Sequence, residues 1–245
     1  MHWRLTLVVL SLVCPTLVSI AGGDEKLPHS LGDYEVRLNG ERIGEEQFRV
    51  YKDQRYVLET TRTLYWPEPM RYEVRYELER SLEPREVQLV ATRGGIVTEL
   101  KLERKGENWR AEVKGQGRKK MKHELGRRAG TIVDFESPLF DALALKRLEL
   151  GVGEHREMDA ITMAYPDLVA SREPQTYERV EDEELDTPFG GTVTASVYEL
   201  TRNETTHRLW LGPSGMILKA TTEQPGNNQM ETVLVRLKSQ SPPWP

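Results

Sequence analysis

Cysteine is almost absent from this 245-residue chain, and its scarcity excludes several kinds of chemistry. The only cysteine is Cys14, which lies in an apolar segment near the amino terminus. We expect that segment to be removed as a signal peptide. The remaining chain would then have no disulfide, no thiolate nucleophile and no cysteine ligand for a metal ion.

Long hydrophobic runs are also lacking, apart from the segment at the amino terminus. Arg4 is its only charged residue, residues 5–13 are mostly apolar, and Ser19-Ile20-Ala21 offers the small residues that a signal peptidase reads. Pro15 interrupts the apolar run, which is shorter than the roughly 20 residues that a membrane-spanning helix needs. Residues 1–21 are therefore predicted to be a signal peptide. The protein is predicted to be secreted or periplasmic, with membrane contact that is at most peripheral.

The common catalytic motifs are missing as well. "GQGRKK" has two glycines but lacks the Lys-Ser/Thr pair of a phosphate-binding loop, and no Gly-x-Ser-x-Gly elbow is present. The sequence after His123 does not continue as a zinc protease motif. One candidate enzymatic site remains, around His123, Asp134 and Glu136, although both acids also suit the entry to a helix. We predict a protein that is not an enzyme and uses no cofactor or metal ion.

A nucleic-acid site is not expected, although residues 115–128 are strongly basic. This stretch, "GQGRKKMKHELGRR", holds six lysines or arginines and one acid, but the net charge of the whole chain is −5. It also lacks the interleaved aromatic residues on which bases stack. Two interpretations stay open. The stretch is either a solvated basic face opposite the acidic residues 181–184, or a surface for anionic lipid headgroups or an acidic partner.

Alternation of apolar and polar residues dominates what is present. In "RYEVRYELER", Tyr72, Val74, Tyr76 and Leu78 fall on one face of a strand and charged residues fall on the other. This pattern is typical of an antiparallel strand with one wet face. Its repetition predicts a meander of about seven strands over residues 33–125. Further strands are predicted at 156–163, 176–181, 192–201, 207–211, 216–222 and 230–237.

One helix is predicted, over Ser137–Leu150. Ser137 is a good N-cap, Pro138 suits the first helical turn, and apolar residues follow at high density. Leu143 and Leu145 lie about 200° apart on a helix, so they cannot share one face. We expect one of them to face the sheet and the other to face a second apolar layer or a cleft.

These elements predict a mainly β fold, in which a curled antiparallel sheet, or half-barrel, wraps one short apolar helix. A single domain is expected over residues 22–238, followed by a loose tail over 239–245. Large apolar residues on the inner face then form the candidate site for an apolar ligand. They are Tyr72, Tyr76, Trp109, Phe140, Leu143 and Trp210.

Two segments carry a resemblance to known proteins. "YEVRLNGERIGEEQFRV" at 34–50 has a strand, an Asn-Gly turn and a second strand, and "ASVYELTRNETTHRLWLGPSGMILKATTE" at 195–223 has strands around Trp210 and the turn at Gly215. This layout resembles the β-rich domain found ahead of secreted bacterial transglutaminase-like enzymes, and related secreted bacterial families of unknown function. More distantly, it is similar to the half-barrel of periplasmic lipoprotein carriers.

The resemblance implies a curled sheet around a helical plug. A transglutaminase-like catalytic domain needs a cysteine nucleophile, and none is left once Cys14 is removed with the signal peptide, so we expect the accessory module alone. The function expected from it is non-enzymatic binding of a lipid or a lipoprotein acyl chain in a half-barrel cleft. The alternative is a module that binds another envelope protein and has a packed core without a ligand.

Overall fold

A computed structural model describes residues 27–115, 121–127, 132–133, 137–164, 168–224, 228–239 and 244. It contains fifteen strands and one helix, α1, at Pro138–Leu148. The first nine strands are β1 Ser30–Leu38, β2 Glu41–Lys52, β3 Tyr56–Leu64, β4 Met70–Leu78, β5 Pro84–Arg93, β6 Ile96–Lys105, β7 Asn108–Gly115, β8 Met121–Arg127 and β9 Ile132–Val133. After α1 come β10 His155–Ala164, β11 Val169–Asp186, β12 Thr192–Arg202, β13 Thr205–Leu211, β14 Ile217–Gln224 and β15 Asn228–Ser239.

All fifteen strands belong to one curled sheet that does not close. Its order is β8-β7-β6-β5-β4-β3-β2-β1-β15-β14-β13-β12-β11-β10-β9, so β1 and β15 join the two halves of the chain. Neighbouring strands are antiparallel except for β9 and β10, which run parallel. The predicted fold class, a curled β-sheet with one helix, is confirmed.

The inner face of the sheet follows the alternation seen in the sequence. Along β3, Tyr56, Leu58, Thr60 and Arg62 are buried, and the residues between them are partly exposed. Successive side chains of a strand point to opposite faces, so one face meets the core and the other meets water. Thr60 and Arg62 belong to the inner set, which places polar groups inside the curl.

The helix lies inside the curl and is buried on almost every side. Ser137 is its N-cap, its side chain accepts a hydrogen bond from the Leu139 N–H, and Pro138 occupies the first turn. The helix ends at Leu148, and Glu149 closes it in a left-handed conformation with its N–H bonded to the Leu145 carbonyl. A helix that is apolar over most of its surface needs protein around it, and the curled sheet provides it.

The side chains of Leu143 and Leu145 pack on different sides of the helix, as their spacing in the sequence predicts. Leu143 packs in the larger core cluster with side chains of β1–β7, including Tyr76 and Leu89. Leu145 packs in a second cluster with Tyr177 of β11 and Leu200 of β12. Both side chains are almost fully buried, so both sides of the helix meet a filled apolar layer.

Several details differ from the sequence-based prediction. The first half has eight strands instead of seven, because residues 121–127 pair with β7 as an additional strand. Strand β11 is longer than expected at both ends, since its amino-terminal part pairs with β10 and its acidic carboxyl-terminal part pairs with β12. Trp244 lies in the predicted loose tail but is buried, where it contacts the ring of Tyr56 and donates to the Gly215 carbonyl.

The predicted signal peptide lies outside the described residues. Within the part of the chain that the structure covers, no helix is long and apolar enough to cross a membrane.

Candidate functional site

A row of polar and aromatic side chains crosses the inner face of the first four strands. Tyr34 of β1 pairs with Glu46 of β2, Glu46 pairs with Arg62 of β3, and Arg62 pairs with Tyr72 of β4. All four residues are buried. Because each member lies directly opposite the next in the register, a glutamate and an arginine become neighbours inside an otherwise apolar curl.

Glu46 is the most deeply buried charged residue of this row, with no exposed surface. Its Oε1 accepts hydrogen bonds from the hydroxyl groups of Thr60, at 2.7 Å, and Ser137. Its Oε2 lies 4.0 Å from Nη1 of Arg62 and accepts no hydrogen bond from any residue that the structure describes. Among the described residues, Oε1 therefore has two hydrogen-bond donors, whereas Oε2 has only the more distant positive charge of Arg62.

The amino-terminal end of α1 supplies part of this environment. Ser137 accepts from the Leu139 N–H and donates to Glu46, so one hydroxyl caps the helix and ties it to β2. The amino-terminal end of a helix carries a partial positive charge, which stabilises a nearby carboxylate. The position of Glu46 therefore depends on how the helix docks as well as on the sheet register.

A cavity of about 180 Å³ lies between this polar row and the helix. We call it the Glu46 cavity. Its polar lining is Glu46, Thr60, Arg62 and Ser137, and its apolar lining is Leu64, Met70, Tyr72, Val74, Phe140 and Met230. An apolar cavity with a few converging polar groups is the usual form of a small-molecule site.

A second buried charged pair lies at the first turn of the helix. Asp141 is 3.7 Å from Arg202 of β12, and both residues are almost completely buried. Arg202 also donates from Nε to His207, whose ring bonds the hydroxyl of Thr222 at 2.5 Å. The amino-terminal turn of α1 therefore has charged partners on two strands, β2 and β12.

Two tyrosines show how apolar this interior is. Burial raises the pKa of Tyr34 well above its ordinary value, and the negative charges of Glu46 and Asp141 raise it further. Burial also raises the pKa of Tyr76, although Arg147 and a hydrogen bond with the Val133 backbone act in the opposite direction. Both phenols remain protonated at neutral pH, because desolvation disfavours their charged form.

The structure places the predicted site residues in three settings. Tyr72 and Phe140 line the Glu46 cavity, and the ring of Tyr76 packs on that of Phe140 with centroids 5.3 Å apart. Trp109 and Leu143 are buried in the same core cluster but do not line the cavity. Tyr72, Tyr76 and Phe140 are therefore brought together at one end of the helix.

Trp210 has a separate environment on β13. Its indole N–H donates to Glu183 at 3.0 Å, and the side chains of Arg208 and Lys219 lie over its ring. It does not line the Glu46 cavity. These contacts join β13 to β11 and β14, which is a structural role.

Sequence reasoning missed the polar half of the site, namely Glu46, Arg62 and Ser137 as a hydroxyl donor. The sequence does contain a signal for Glu46 and Arg62, which is the alternation of inward-facing and outward-facing positions along β2 and β3. Glu46 lies two residues before Phe48, and Arg62 lies two residues after Thr60, so both belong to the inward-facing sets. A charged residue at an inward position is expensive to bury and therefore informative.

Two further predicted features are the candidate enzymatic site and the basic stretch opposite the acidic residues. Asp134, Glu136 and the side chain of His123 lie outside the described residues, and no cluster of potential metal ligands occurs among the residues that are described. In the described part of the basic stretch, Lys122 pairs with Glu112 of its own sheet neighbour. In the acidic stretch, Glu181 and Glu183 of β11 both form ion pairs with Arg208 of β13.

One family model matches the sequence over residues 37–216, which is more than half of the chain. It carries the description "putative glycolipid-binding". No curated protein matches the chain.

Four solved chains are similar to this one, among them the following three. A β-barrel-like DUF1849 protein from Brucella abortus is 11% identical, with 87% of this chain and 98% of that chain covered and a TM-score of 0.56. A DUF1089 family protein from Pseudomonas aeruginosa is 18% identical, with 74% and 89% covered and a TM-score of 0.49. A protein from Parabacteroides distasonis described as a putative lipoprotein is 10% identical, with 86% and 96% covered and a TM-score of 0.34. At 11% identity, the likeness to the first of these concerns the fold alone.

Proposed function

We propose that this chain, which belongs to the putative glycolipid-binding family, binds a lipid at the Glu46 cavity and catalyses no reaction. The observation that carries the proposal is the composition of that cavity. Six apolar side chains form its walls, and the buried Glu46 and Arg62 form a polar patch on one side. Such a surface suits a ligand that is itself part apolar and part polar.

The size of the cavity limits how much of a lipid it encloses. Sites that bury a whole drug-sized ligand usually measure roughly 300–1,000 Å³. The Glu46 cavity, at about 180 Å³, is smaller. We therefore infer that one part of the lipid enters the cavity and that the rest stays outside it or lies along the surface.

The proposed location is the bacterial envelope, outside the cytosol. This part of the proposal depends on the signal-peptide features of residues 1–21 and on the resemblance to secreted bacterial families. Sequencing the amino terminus of the exported protein tests it. We expect a mature chain that begins at about Gly22, and a protein that keeps Met1 would contradict the proposal.

A module that binds another envelope protein is the second candidate function. The observation that favours it is the packing of the helix, whose two sides both meet filled apolar layers. In that case the small cavity would be a packing defect, and binding would occur on the outer surface. The two candidates differ in whether filling the cavity affects lipid uptake.

Native mass spectrometry of the protein purified from its own host is the first test. We expect a lipid that co-purifies with the wild-type protein and is lost in Leu64→Trp, because Leu64 lines the cavity and a larger side chain would occupy it. Leu237→Trp is the matched control. Leu237 is also a partly buried leucine packed on the core, but it lies away from the cavity lining.

Uptake of a fluorescent lipid by the same three proteins gives the quantitative result. The proposal predicts a loss of at least tenfold in affinity for Leu64→Trp and little change for Leu237→Trp. Equal uptake by all three proteins, together with no co-purified lipid, would contradict lipid binding at this cavity and favour the second candidate.

A further inference from the structure

We infer that the sugar end of a glycolipid enters the Glu46 cavity first, with a hydroxyl group donating a hydrogen bond to Oε2 of Glu46. This inference rests on the proposed function and adds which end of the ligand enters the cavity and which atom that end contacts. It is carried by three observations, which are a free acceptor position, the charge of the lining and the size of the cavity.

The first observation is the acceptor on Glu46. Both hydroxyl partners of this carboxylate, Thr60 and Ser137, bond to Oε1, and Oε2 accepts no hydrogen bond from the described residues. An ionised carboxylate accepts hydrogen bonds and donates none. A buried acceptor without a partner destabilises the protein, so a ligand that supplies a donor gains from pairing with it. Hydroxyl groups of a sugar are such donors.

The second observation is the charge of the lining, which disfavours an acidic ligand. Arg62 alone would attract a fatty-acid carboxylate or a phosphate, but Glu46 is in the same lining and lies 4.0 Å from it. The pair is close to neutral as a unit, and an added anion would meet the negative charge of Glu46 in a medium of low dielectric constant. A neutral group with several hydroxyls fits this lining better than a free acid.

The third observation is the match between the cavity and one ring. A cavity of about 150 Å³ in another protein holds a benzene molecule. At about 180 Å³, the Glu46 cavity has room for a single six-membered ring and little more. The rings of Tyr72 and Phe140 are part of the lining and offer flat apolar surfaces to the C–H face of a sugar.

The surface beside the cavity agrees with chains that remain outside. Leu64 and Met70 line the cavity and flank the turn between β3 and β4, where Tyr65 and Trp66 are 49% and 56% exposed. Ile96, the first residue of β6 after the neighbouring turn between β5 and β6, is 59% exposed. Glu68 joins the two turns through an ion pair with Arg93, at 2.6 Å. Acyl chains that leave the cavity at Leu64 would thus meet an apolar surface.

Isothermal titration with three short amphiphiles tests the inference on the wild-type protein. Octyl glucoside, octanol and octanoate share a chain length and differ at the polar end. We expect octyl glucoside to bind at least tenfold more tightly than the other two. Equal affinities for all three would overturn the sugar-first inference and leave lipid binding intact. If none of the three binds, and no lipid co-purifies, the proposed function fails as well.

A variant series locates the hydroxyl contact. Glu46→Gln keeps the size of the side chain but replaces one oxygen with an amide that donates, so we expect the preference for octyl glucoside to fall at least tenfold. Glu45→Gln is the matched control, since Glu45 is the preceding residue, is more exposed and pairs with Arg42. An unchanged preference in a folded Glu46→Gln protein would contradict the contact.

Saturation-transfer NMR on the wild-type protein gives a readout that needs no variant. If the sugar enters first, its ring protons receive more saturation from the protein than the terminal methyl group of the octyl chain. The opposite order would show that the chain enters first and would overturn the inference. Tyr72→Leu removes one flat surface of the cavity and is expected to reduce saturation at the ring protons selectively.

Discussion

The two ends of the helix lie inside the same curled sheet but have different surroundings. At the amino-terminal end, Ser137 and Phe140 border a cavity with a buried glutamate–arginine pair. At the carboxyl-terminal end, Leu145 and Leu148 pack in a filled cluster with Tyr177 and other apolar side chains. A filled apolar layer stabilises the fold, whereas a cavity lined by buried charge costs stability.

The largest effect is expected when the charged pair at the amino-terminal end is broken. Arg62→Met should cost about 3–5 kcal/mol of unfolding free energy, because it leaves the buried carboxylate of Glu46 without its positive neighbour. Glu46→Gln combined with Arg62→Met should recover most of this loss, because the double variant carries no buried charge at this position. Urea unfolding of the single and double variants measures both quantities.

Arg71→Met is the control for that experiment. Arg71 lies on the neighbouring strand, is exposed and pairs with Glu73. Exposed pairs contribute about 0–1 kcal/mol, so the control should change stability little. A loss as small in Arg62→Met as in Arg71→Met would mean that the two ends of the helix do not differ in the way described.

The filled end of the helix is tested by Leu145→Ala. Removing this buried side chain should cost about 2–5 kcal/mol, because it deletes apolar contacts and leaves a void. Lipid affinity of the folded fraction should not change, since Leu145 belongs to the cluster away from the cavity. Thermal melting and lipid titration of the same sample check both parts, and altered affinity with unaltered melting would reverse the assignment.

Leu143→Ala extends the same test to the other side of the helix. Leu143 is also buried and does not line the cavity, so a similar loss of stability without a change in lipid affinity is expected. If Leu143→Ala reduced uptake, the binding region would extend further along the helix than the Glu46 cavity.

Alkaline pH should destabilise the fold through Tyr34 and Tyr76. In the unfolded chain a tyrosine ionises near pH 10, whereas burial raises the pKa of both residues in the folded protein. Their contribution is fully present below pH 10 and is lost as pH rises towards the folded pKa, by about 1.4 kcal/mol per pH unit for each tyrosine. Urea unfolding at pH 9, 10 and 11 measures this slope.

Phenylalanine variants identify which tyrosines cause the alkaline loss. Tyr34→Phe and Tyr76→Phe should each make the slope above pH 10 less steep. Tyr65→Phe is the control, because Tyr65 is about half exposed and should leave the slope unchanged. Equal slopes in all three variants would exclude the buried tyrosines as the cause.

The smallest effect is expected at the cap of the helix. Ser137→Ala removes the hydroxyl that bonds Glu46 and the Leu139 N–H, and it should cost about 0.5–2 kcal/mol. Ser137→Thr keeps the hydroxyl group and should retain most of the stability. Unfolding curves that are identical for Ser137→Ala and the wild-type protein would show that this hydroxyl does not hold the helix to β2.

Much of the fold could be predicted from the sequence, because its signals are local. Period-two alternation identified β4 and its neighbours, and the Ser-Pro cap identified the start of α1. The additional strand β8 was missed because its sequence is basic and its pairing depends on β7. The signal peptide and the resemblance to the domain ahead of transglutaminase-like enzymes stay predictions.

The candidate site could be predicted only in part. Large apolar side chains on the predicted strand faces and on the helix led to the selection of Tyr72 and Phe140, and both line the cavity. The same criterion selected Trp210, whose ring instead packs against charged side chains on β13 and β14. Size and apolar character show that a side chain is buried somewhere, but they do not show whether its neighbours leave a cavity.

By itself, the sequence determined which residues face inward and where the helix begins, since both follow from the backbone period and from capping groups within a few residues. Only the tertiary structure decided that Glu46 meets Arg62, Ser137 and Thr60. These contacts need the register of two strands, β2 and β3, and the docking of a helix whose N-cap lies 91 residues away from Glu46 in the chain. Register and docking depend on packing summed over the whole curl, so no short segment contains the information that places a charged pair beside a cavity.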